Sequence, residues 1–404
     1  MTERADAVAS RRRRPKNRKA QIASVAAAAF SERGYHAVGI DDIAAEVGVS
    51  GPALYRHFPN KYALFVDAAM GLADALHESV TTVREDPDAA VQLEQVLAGV
   101  ITTTIDNRRT GGLYRWENRY LRPEDQSRLR TRIESINHAI AEPLTRLRPE
   151  LNSYDAATLA AAALSVIGSI TAHRAVLPSK RIESLLLAAA TAVLHTELPK
   201  LKGRVSESVT DPNRGMLTAS KRELLLAESL HLFYRYGYHE VSIEEIAVAA
   251  GMNASGVYRH FSGKSDLLAT NFRRAGDRLA LAVGSALERA NTPHEALTGL
   301  VEVYVDLSFR HHELISVYYA EILNLPADER TTLRNVQRIN IDEWAQLLRD
   351  TRPDLAVAEA RFLVHAALGL VLDVGGLLRF DSDSGAPARV KTLMLTTLSD
   401  SQLA

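Results

Sequence analysis

The sequence predicts an all-α protein built from two tandem units of one design. The stretch Tyr55-Arg56-His57-Phe58 recurs 203 residues later (258 minus 55) as Tyr258-Arg259-His260-Phe261. After each copy come two further residues and then a lysine. At the same offset, without a gap, the glycines and apolar residues around this stretch also match. A repeat of this length at one fixed offset indicates a duplicated module. Apolar residues recur at spacings of three and four between Gly and Pro breaks, which is the pattern of helices.

The composition is that of a soluble globular protein. At 404 residues the chain is too long for one ordinary core, and 46% of its residues are hydrophobic and 24% charged. The absence of cysteine excludes disulfides and thiolate chemistry and fits a reducing compartment. The sequence has no uninterrupted apolar run of about 18 residues, and its N-terminus is polar and basic rather than apolar. We therefore expect a cytoplasmic protein with no membrane partner.

The first unit opens with two predicted helices. Helix 1 spans residues 15–33, and Gly34 is placed to end it. Its apolar stripe consists of Ile22, Val25, Ala26, Ala29 and Phe30. Helix 2 begins at Asp41 and Asp42, whose charges suit the positive end of a helix, and Gly48 makes the turn after it.

Two further helices follow this turn. Ser50 can cap a short helix 3 over residues 52–58, with Pro52 in its first turn. Asn60 can cap helix 4, which carries Lys61 in its first turn. A lysine there is unfavourable next to the helix dipole unless an anion is bound nearby.

These residues resemble the DNA-binding module of TetR-type transcriptional repressors over about 50 residues in each half. The resemblance rests on Gly34-Tyr35, Ile40-Asp41-Asp42-Ile43-Ala44, Gly48-Val49-Ser50, and Leu54-Tyr55-Arg56-His57-Phe58 with Lys61. It implies two tandem TetR-like units, each an N-terminal helix-turn-helix head on a helical regulatory and dimerisation domain. Fused repressors of this kind occur in actinobacteria, and one controls a mammalian-cell-entry operon.

The resemblance makes helix 3 the recognition helix, and a helix-turn-helix places the start of that helix in the major groove. We expect Leu54 and Phe58 to pack beneath it, while Tyr55 could face either DNA or the core. The family also implies a phosphate contact for Lys61. The predicted DNA-binding residues of the first head are Ser50, Gly51, Pro52, Ala53, Tyr55, Arg56, His57 and Lys61. Those of the second head are Asn253, Ala254, Ser255, Gly256, Tyr258, Arg259, His260 and Lys264.

The two heads are expected to read different sequences. The quartets Gly51-Pro52-Ala53-Leu54 and Ala254-Ser255-Gly256-Val257 share no aligned identity, although the Tyr-Arg-His-Phe stretch after them is shared. Two identical readers require a symmetric operator, so two different readers predict an asymmetric one.

The heads also differ in charge. Residues 11–64 carry ten Lys or Arg against four Asp or Glu, whereas the equivalent residues 214–267 carry six against six. The excess comes from a basic arm that contains Arg11, Arg12, Arg13 and Arg14. Such an arm is either a solubilising tail or a contact to DNA phosphates, and its place before a helix-turn-helix favours DNA. We expect the first head to dominate the encounter with DNA.

The remaining residues complete the division of the chain. We expect a helical regulatory domain at 65–198, a linker at 199–217 rich in Gly and Pro, a second head at 218–267 and a second regulatory domain at 268–404. The first head is assigned to residues 15–64. The family implies a dimer interface for the last two helices of each unit, here 154–176 with 180–198 and 354–380 with 387–399; an ordinary buried helix pair is the alternative. The chain would then be a monomer that forms an intramolecular pseudo-dimer.

Candidate ligand contacts lie in matching stretches of the two units. Residues 113–121 resemble a helix of family members that bind acyl or polycyclic lipids, and core packing explains the same aromatics equally well. The candidates are Tyr114, Trp116, Glu117 and Tyr120 in the first unit and Tyr318, Tyr319 and Glu321 in the second.

Enzymatic and metal chemistry find little support in the sequence. No phosphate-binding or dinucleotide-binding glycine motif is present. His311, His312 and Glu313 invite a metal site, but adjacent helical positions point about 100° apart. We therefore expect no cofactor and no catalysis.

The leading hypothesis is a transcriptional repressor that a small ligand, such as a lipid, acyl or sterol-derived compound, releases from double-stranded DNA. The rivals are an architectural DNA-binding protein without an effector and a helical enzyme that inherited the head.

Overall fold

The computed structural model describes residues 18–113, 118–201 and 220–399, and within these ranges the chain forms helices and turns without strands. In the first half, the helices with described bounds are α1 Arg18–Arg33, α2 Ile40–Val47, α3 Gly51–Tyr55, α4 Lys61–Thr81, α5 Ala89–Asp106, α6 Pro123–Leu147, α7 Ser153–Gly168 and α8 Ser179–His195. In the second half, they are α9 Lys221–Tyr236, α10 Ile243–Ala249, α11 Ala254–Val257, α12 Lys264–Leu287, α13 Pro293–Arg310, α14 His312–Glu321, α15 Ala327–Thr351, α16 Val357–Leu377 and α17 Ala386–Leu398. The predicted fold class, two tandem helical units, is confirmed.

Side-chain caps set the starts of the short helices in both heads. Ser50 Oγ accepts a hydrogen bond from the Ala53 amide at 3.4 Å, and Asn253 Oδ1 accepts one from the Gly256 amide at 2.9 Å. Helices of four or five residues are unstable alone because nucleation is costly. The caps and the packing beneath α3 and α11 therefore hold them in place.

Helix α3 is shorter than predicted. It ends at Tyr55 rather than at residue 58, because the amides of His57 and Phe58 both turn back onto the Leu54 carbonyl, at 2.9 and 3.1 Å. This tight turn directs the chain toward α4, where Asn60 Oδ1 accepts a bond from the Ala63 amide at 2.8 Å.

Each head has its own core, whereas the lower parts of both halves share one. Phe30, Ile43 and Phe65 belong to the first head, and Phe233 and Phe272 to the second. The shared core includes Leu159, Val166 and Ile167 from the first half and Leu363, Leu370 and Val371 from the second. The molecule thus consists of two small heads on one fused helical body.

Four helices join the halves. Helix α7 packs on α16, and α8 packs on α17. In the described ranges, two segments are long and apolar enough to cross a membrane: Ser153–Thr171, which is α7 with the turn after it, and α16. However, 78% of the first and 61% of the second are buried inside the protein. Their apolar faces are therefore used against each other, as core helices.

The predicted helix 154–176 is too long. Helix α7 ends at Gly168, a 3-10 turn follows at Ser169–Thr171, and the chain is then irregular. The cause is Arg108, whose guanidinium donates to the carbonyl oxygens of Ile170 at 2.8 Å, His173 at 3.3 Å and Ala175 at 2.7 Å. These carbonyl oxygens accept hydrogen bonds from Arg108 in place of the backbone amides that would satisfy them in a continued helix.

Polar contacts between the halves are buried as well. Arg389 is 3% exposed and forms an ion pair with Asp155 at 2.5 Å, while its Nε donates to the Pro199 carbonyl at 2.8 Å. Ser165 Oγ donates to Asp373 Oδ2 at 2.5 Å across the α7 and α16 contact. These partners differ between the halves, so they fix one register.

Replacing Arg389 by Ala should lower the free energy of unfolding by about 3 kcal/mol, since the Asp155 carboxylate would lose its charge partner in a shielded place. Urea unfolding followed by circular dichroism measures this. Arg289→Ala, at an exposed position, is the matched control and should change stability by less than about 0.5 kcal/mol. Equal losses in the two variants would show that the ion pair contributes nothing specific.

Candidate nucleic-acid interface

The outward faces of α3 and α11 carry aromatic and basic side chains. Tyr55 is 51% exposed and Tyr258 is 58% exposed, so Tyr55 does not belong to the core. The Arg and His that follow each tyrosine are exposed too, at Arg56, His57, Arg259 and His260. Leu54 and Phe58 are buried at 0% and 2% exposure, as the sequence predicts. The face therefore offers hydrogen-bond donors and stacking surface to a groove.

Three members of the two quartets are buried rather than presented to bases. Leu54 and Val257 are fully buried, and Gly256 is buried as well. A Cβ on Gly256 would lie 3.0 Å from Met252 Cε, so this glycine allows close packing rather than DNA contact. Gly51 also allows close packing, because a Cβ at this position would lie 2.6 Å from Asp41 Oδ1.

The remaining surface positions still differ between the heads. Pro52 is exposed in the first head, and its equivalent, Ser255, is exposed in the second. Ala53 and Ala254 are half-buried, and Ser50 and Asn253 are exposed caps. A proline offers no amide and a serine offers a hydroxyl, so the two surfaces present different chemistry.

The lysines at the starts of α4 and α12 have intramolecular partners. Lys61 Nζ lies 4.5 Å from the centre of the Tyr35 ring, and Lys264 Nζ lies 4.6 Å from that of Tyr238. Lys264 Nζ also donates to the carbonyl oxygens of Tyr238 at 2.8 Å and Val241 at 2.6 Å. Burial lowers the pKa of both ammonium groups. The sequence reasoning missed this second use of the two lysines, and their phosphate contact stays a prediction.

Some predicted residues lie outside the described part of the chain. They are Arg11 to Arg14 of the basic arm, Tyr114, Trp116 and Glu117 of the first ligand stretch, and nearly all of the linker. The described end of that ligand stretch, Asn118–Tyr120, is a 3-10 turn rather than part of a helix.

The two heads touch through the loops after their first helices. The rings of His36 and His239, which are equivalent positions of the repeat, stack with centroids 4.0 Å apart at 25°. Tyr120 stacks on Tyr35 at 5.8 Å and meets His36 edge-on at 4.7 Å. Tyr120 therefore supports the first head, and its place in a ligand pocket stays a prediction.

Glu321 connects the regulatory part to the second head. It is fully buried, its carboxylate accepts hydrogen bonds from the Tyr238 amide at 2.9 Å and from Asn324 Nδ2 at 2.6 Å, and it is paired with Arg119 of the first half. Burial raises the pKa of its carboxyl, and Arg119 opposes that change. Every one of these partners of Glu321 is internal, and its contact with a ligand stays a prediction.

A cavity of about 840 Å³ lies between the halves. The first half contributes Ser31 and Glu32 of α1 and residues around His173, and the second half contributes Tyr318, Tyr319 and parts of α15 and α16. A smaller apolar cavity of about 180 Å³ lies within the second half and shares Tyr318 and Tyr319 with the large one. These two tyrosines line the cavities, in keeping with the ligand contacts predicted for them.

Comparison with known proteins identifies a family that the two heads resemble. The profile described as "Bacterial regulatory proteins, tetR family" matches residues 22–68 and 220–270. Both segments are therefore similar to this family. They coincide with the two helix-turn-helix heads and leave the lower helices unmatched.

Full-length relatives align with part of this chain. The transcriptional activator FasR of Mycolicibacterium smegmatis is 30% identical over 133 residues, which are 32% of this chain and 59% of FasR. The transcriptional repressor KstR2 of the same species is 26% identical over 155 residues, which are 36% of this chain and 75% of KstR2. The alignment with FasR thus spans less than two thirds of that protein.

Solved structures align with one half of the chain. A TetR-family transcriptional regulator from Bordetella parapertussis is 23% identical, with a TM-score of 0.40, and the alignment covers 44% of this chain and 95% of that one. The ketosteroid regulator KstR2 of Mycobacterium tuberculosis is 20% identical, with a TM-score of 0.39, and the alignment covers 45% of this chain and 94% of that one.

Among the described residues, no group of three His, Asp or Glu side chains lies close enough together to bind a metal ion. In the second half, Glu313 is hydrogen-bonded to His231 at 2.9 Å, His311 lines the small cavity, and the ring of His312 stacks on that of Phe380. The adjacent pair His311 and His312 is therefore split between different surroundings.

The stacked histidines predict that the head contact depends on pH. Burial, then His239 and Lys61, lower the pKa of His36 to about 4, and burial and Lys264 lower that of His239. A free imidazole titrates near pH 6.5, so the stack is fully stable above that value and weakens as the pH falls from about 6.5 toward about 4.

Spin labels on Ala45→Cys and Val248→Cys, two exposed and equivalent positions in a chain without cysteine, report the distance between the heads. Double electron–electron resonance should give a narrow distribution at pH 8 and a broader, longer one at pH 5. Replacing both histidines by Phe keeps the stack but removes the titration, and should make the distribution independent of pH. An unchanged distribution in the parent chain would refute the switch.

Proposed function

We propose that this protein is a DNA-binding transcriptional regulator, a repressor that a small ligand releases from its operator. The observation that carries the proposal is the presence of two tetR-family heads in one chain, each with an exposed recognition helix. Regulators with such heads bind DNA in pairs, and here a single chain supplies both members. A protein of this kind works on chromosomal DNA, in the cytoplasm.

We infer that one chain forms the functional unit. The four helices α7, α8, α16 and α17, which the family uses between subunits, pack against one another within this chain. The resulting pseudo-dimer binds as a monomer, and its two unlike heads read an asymmetric operator.

A route from ligand to DNA runs through α14 and the turn after it. Tyr318 and Tyr319 of α14 and Leu323 of the turn line the large cavity. Between them lies Glu321, which holds the Tyr238 amide of the second head. A Cβ on Gly34 in the first head would lie 3.7 Å from Leu323. A ligand that moves this segment would therefore shift both heads, together with α4 and α12, which carry them.

An architectural DNA-binding protein without an effector is the second candidate. The large cavity favours the regulator, because about 840 Å³ is within the range of small-molecule sites and a purely structural protein has no use for such a space. The relatives include an activator and a repressor, so the direction of control is part of the proposal.

Selection of binding sites from random DNA tests the proposal. We expect one chain per site and two different half-sites, since Pro52 and Ser255 present different surfaces at equivalent positions. Exchanging Pro52 and Ser255 between the heads should swap the preferred bases of the half-sites. Recovery of a perfect inverted repeat would reject the asymmetric operator, and the absence of any enriched site would reject sequence-specific binding altogether.

Lys61→Ala and Lys264→Ala should weaken binding to specific and non-specific DNA alike, and each should lower the slope of affinity against salt by about one. Lys264→Ala should also lower the stability of the second head, because two backbone carbonyls lose their donor. Binding isotherms at several salt concentrations and thermal unfolding measure the two effects. An unchanged salt slope in both variants would restrict the lysines to a structural role.

A further inference from the structure

The large cavity has a strongly basic wall. Two arginines of the first half line it, Arg109 and Arg174, and three of the second, Arg334, Arg338 and Arg361. Its acidic lining residues are Glu32 and Asp342. Asp342 is shared by Arg361 at 2.7 Å and Arg338 at 3.5 Å. Within the described part of the chain, the other three arginines have no carboxylate within 4.0 Å. The wall is therefore short of negative charge.

His173 adds an unused donor to the same wall. It is 6% exposed, and its Nδ1 accepts the Ala175 amide at 3.2 Å, so the proton of the neutral ring lies on Nε2. Burial holds the ring neutral by lowering its pKa far below the usual range. Nε2 is buried and has no hydrogen-bond partner among the described residues. Buried donors in native proteins almost always have partners, and Nε2, which protein atoms enclose, is an exception among the described residues.

The small cavity continues the large one with a different chemistry. Its walls include Phe272, Leu279, Leu307 and Trp344, and the two cavities share Tyr318 and Leu368. An apolar pocket thus opens beside a basic one, with Tyr318 between them. Burial raises the pKa of Tyr318 well above its usual range, which keeps its hydroxyl neutral.

We propose that the effector is an anionic amphiphile bound across the two halves, with its carboxylate or phosphate on the arginine wall and its apolar body in the pocket of the second half. This rests on the proposed function, since it names the ligand class of that regulator. Guanidinium groups bind carboxylate and phosphate oxygens in bidentate fashion. A simple anion would leave the apolar pocket empty, and an uncharged lipid would leave the arginine wall without a negative charge beside it.

Calorimetric titration of the intact chain tests the ligand class with four probes below their micellar concentrations. Dodecanoate and dodecyl phosphate distinguish the two anionic groups, dodecanol lacks the charge, and inorganic phosphate lacks the apolar body. We expect at least one of the two amphiphiles to bind one per chain, at least tenfold more tightly than dodecanol and inorganic phosphate. Dodecanol binding as tightly as both anions, or no binding by any amphiphile, would overturn the proposal.

Variants locate the site. Arg334→Gln, in an exposed arginine of the wall, should reduce the affinity for the amphiphile at least tenfold without changing the thermal midpoint, and the control Arg289→Gln should leave it unchanged. Gly276 lines the small cavity and has open space around its Cα, so Gly276→Phe should fill the pocket and block binding. Full affinity in both Arg334→Gln and Gly276→Phe would place the ligand elsewhere and refute the assignment.

A DNA-release experiment separates this proposal from the proposed function. If the amphiphile binds with the expected dependence on Arg334 and releases the selected operator, both stand. If it binds in that way while the operator stays bound, the site is supported and ligand-induced release fails. If DNA binds specifically and no amphiphile does, the regulator stands and the ligand class is overturned.

Discussion

The buried contact between α7 and α16 is the constraint on which the rest of the structure depends. These two apolar helices remove each other from water and place the lower parts of both units in one core. Apolar burial sets the strength of such a contact but not its register. The register comes from polar pairs with unlike partners, Ser165 with Asp373 and Asp155 with Arg389. With the body fixed in this way, the heads meet at the stacked rings of His36 and His239.

The segment from α14 to the turn after it contacts both the large cavity and the second head. One of its faces borders the large cavity, and Glu321 on another face is buried between Arg119 of the first half and the Tyr238 amide of the second head. A buried carboxylate that loses one of these partners is strongly destabilised, because nothing else solvates it. The segment thus connects the wall of the large cavity to the second head through buried contacts.

Sequence patterns predicted the fold and the exposed recognition faces because both depend on local signals. The apolar spacing, the caps Ser50 and Asn253 and the repeat of Tyr-Arg-His-Phe all act within a few residues. The contacts that the sequence did not predict share the opposite property. Glu321 meets Arg119 across 202 residues, and Lys264 meets carbonyls 23 and 26 residues earlier. Gly51 depends on Asp41 in the preceding helix. No periodicity in one segment reports a partner in another, so such contacts appear only in three dimensions.

Fusion of the two units explains how the basic wall can exist once per molecule. In a symmetric homodimer, every interface site away from the two-fold axis occurs twice. Here α15 begins 204 residues after α6 (327 minus 123), and α16 begins 204 residues after α7 (357 minus 153). At that offset Arg338 corresponds to Glu134 and Arg361 to Ala157, so the first unit lacks two of the arginines of the second. Each half could therefore change without its copy, and one cavity could draw on Arg109 and Arg174 from one unit and an apolar pocket from the other.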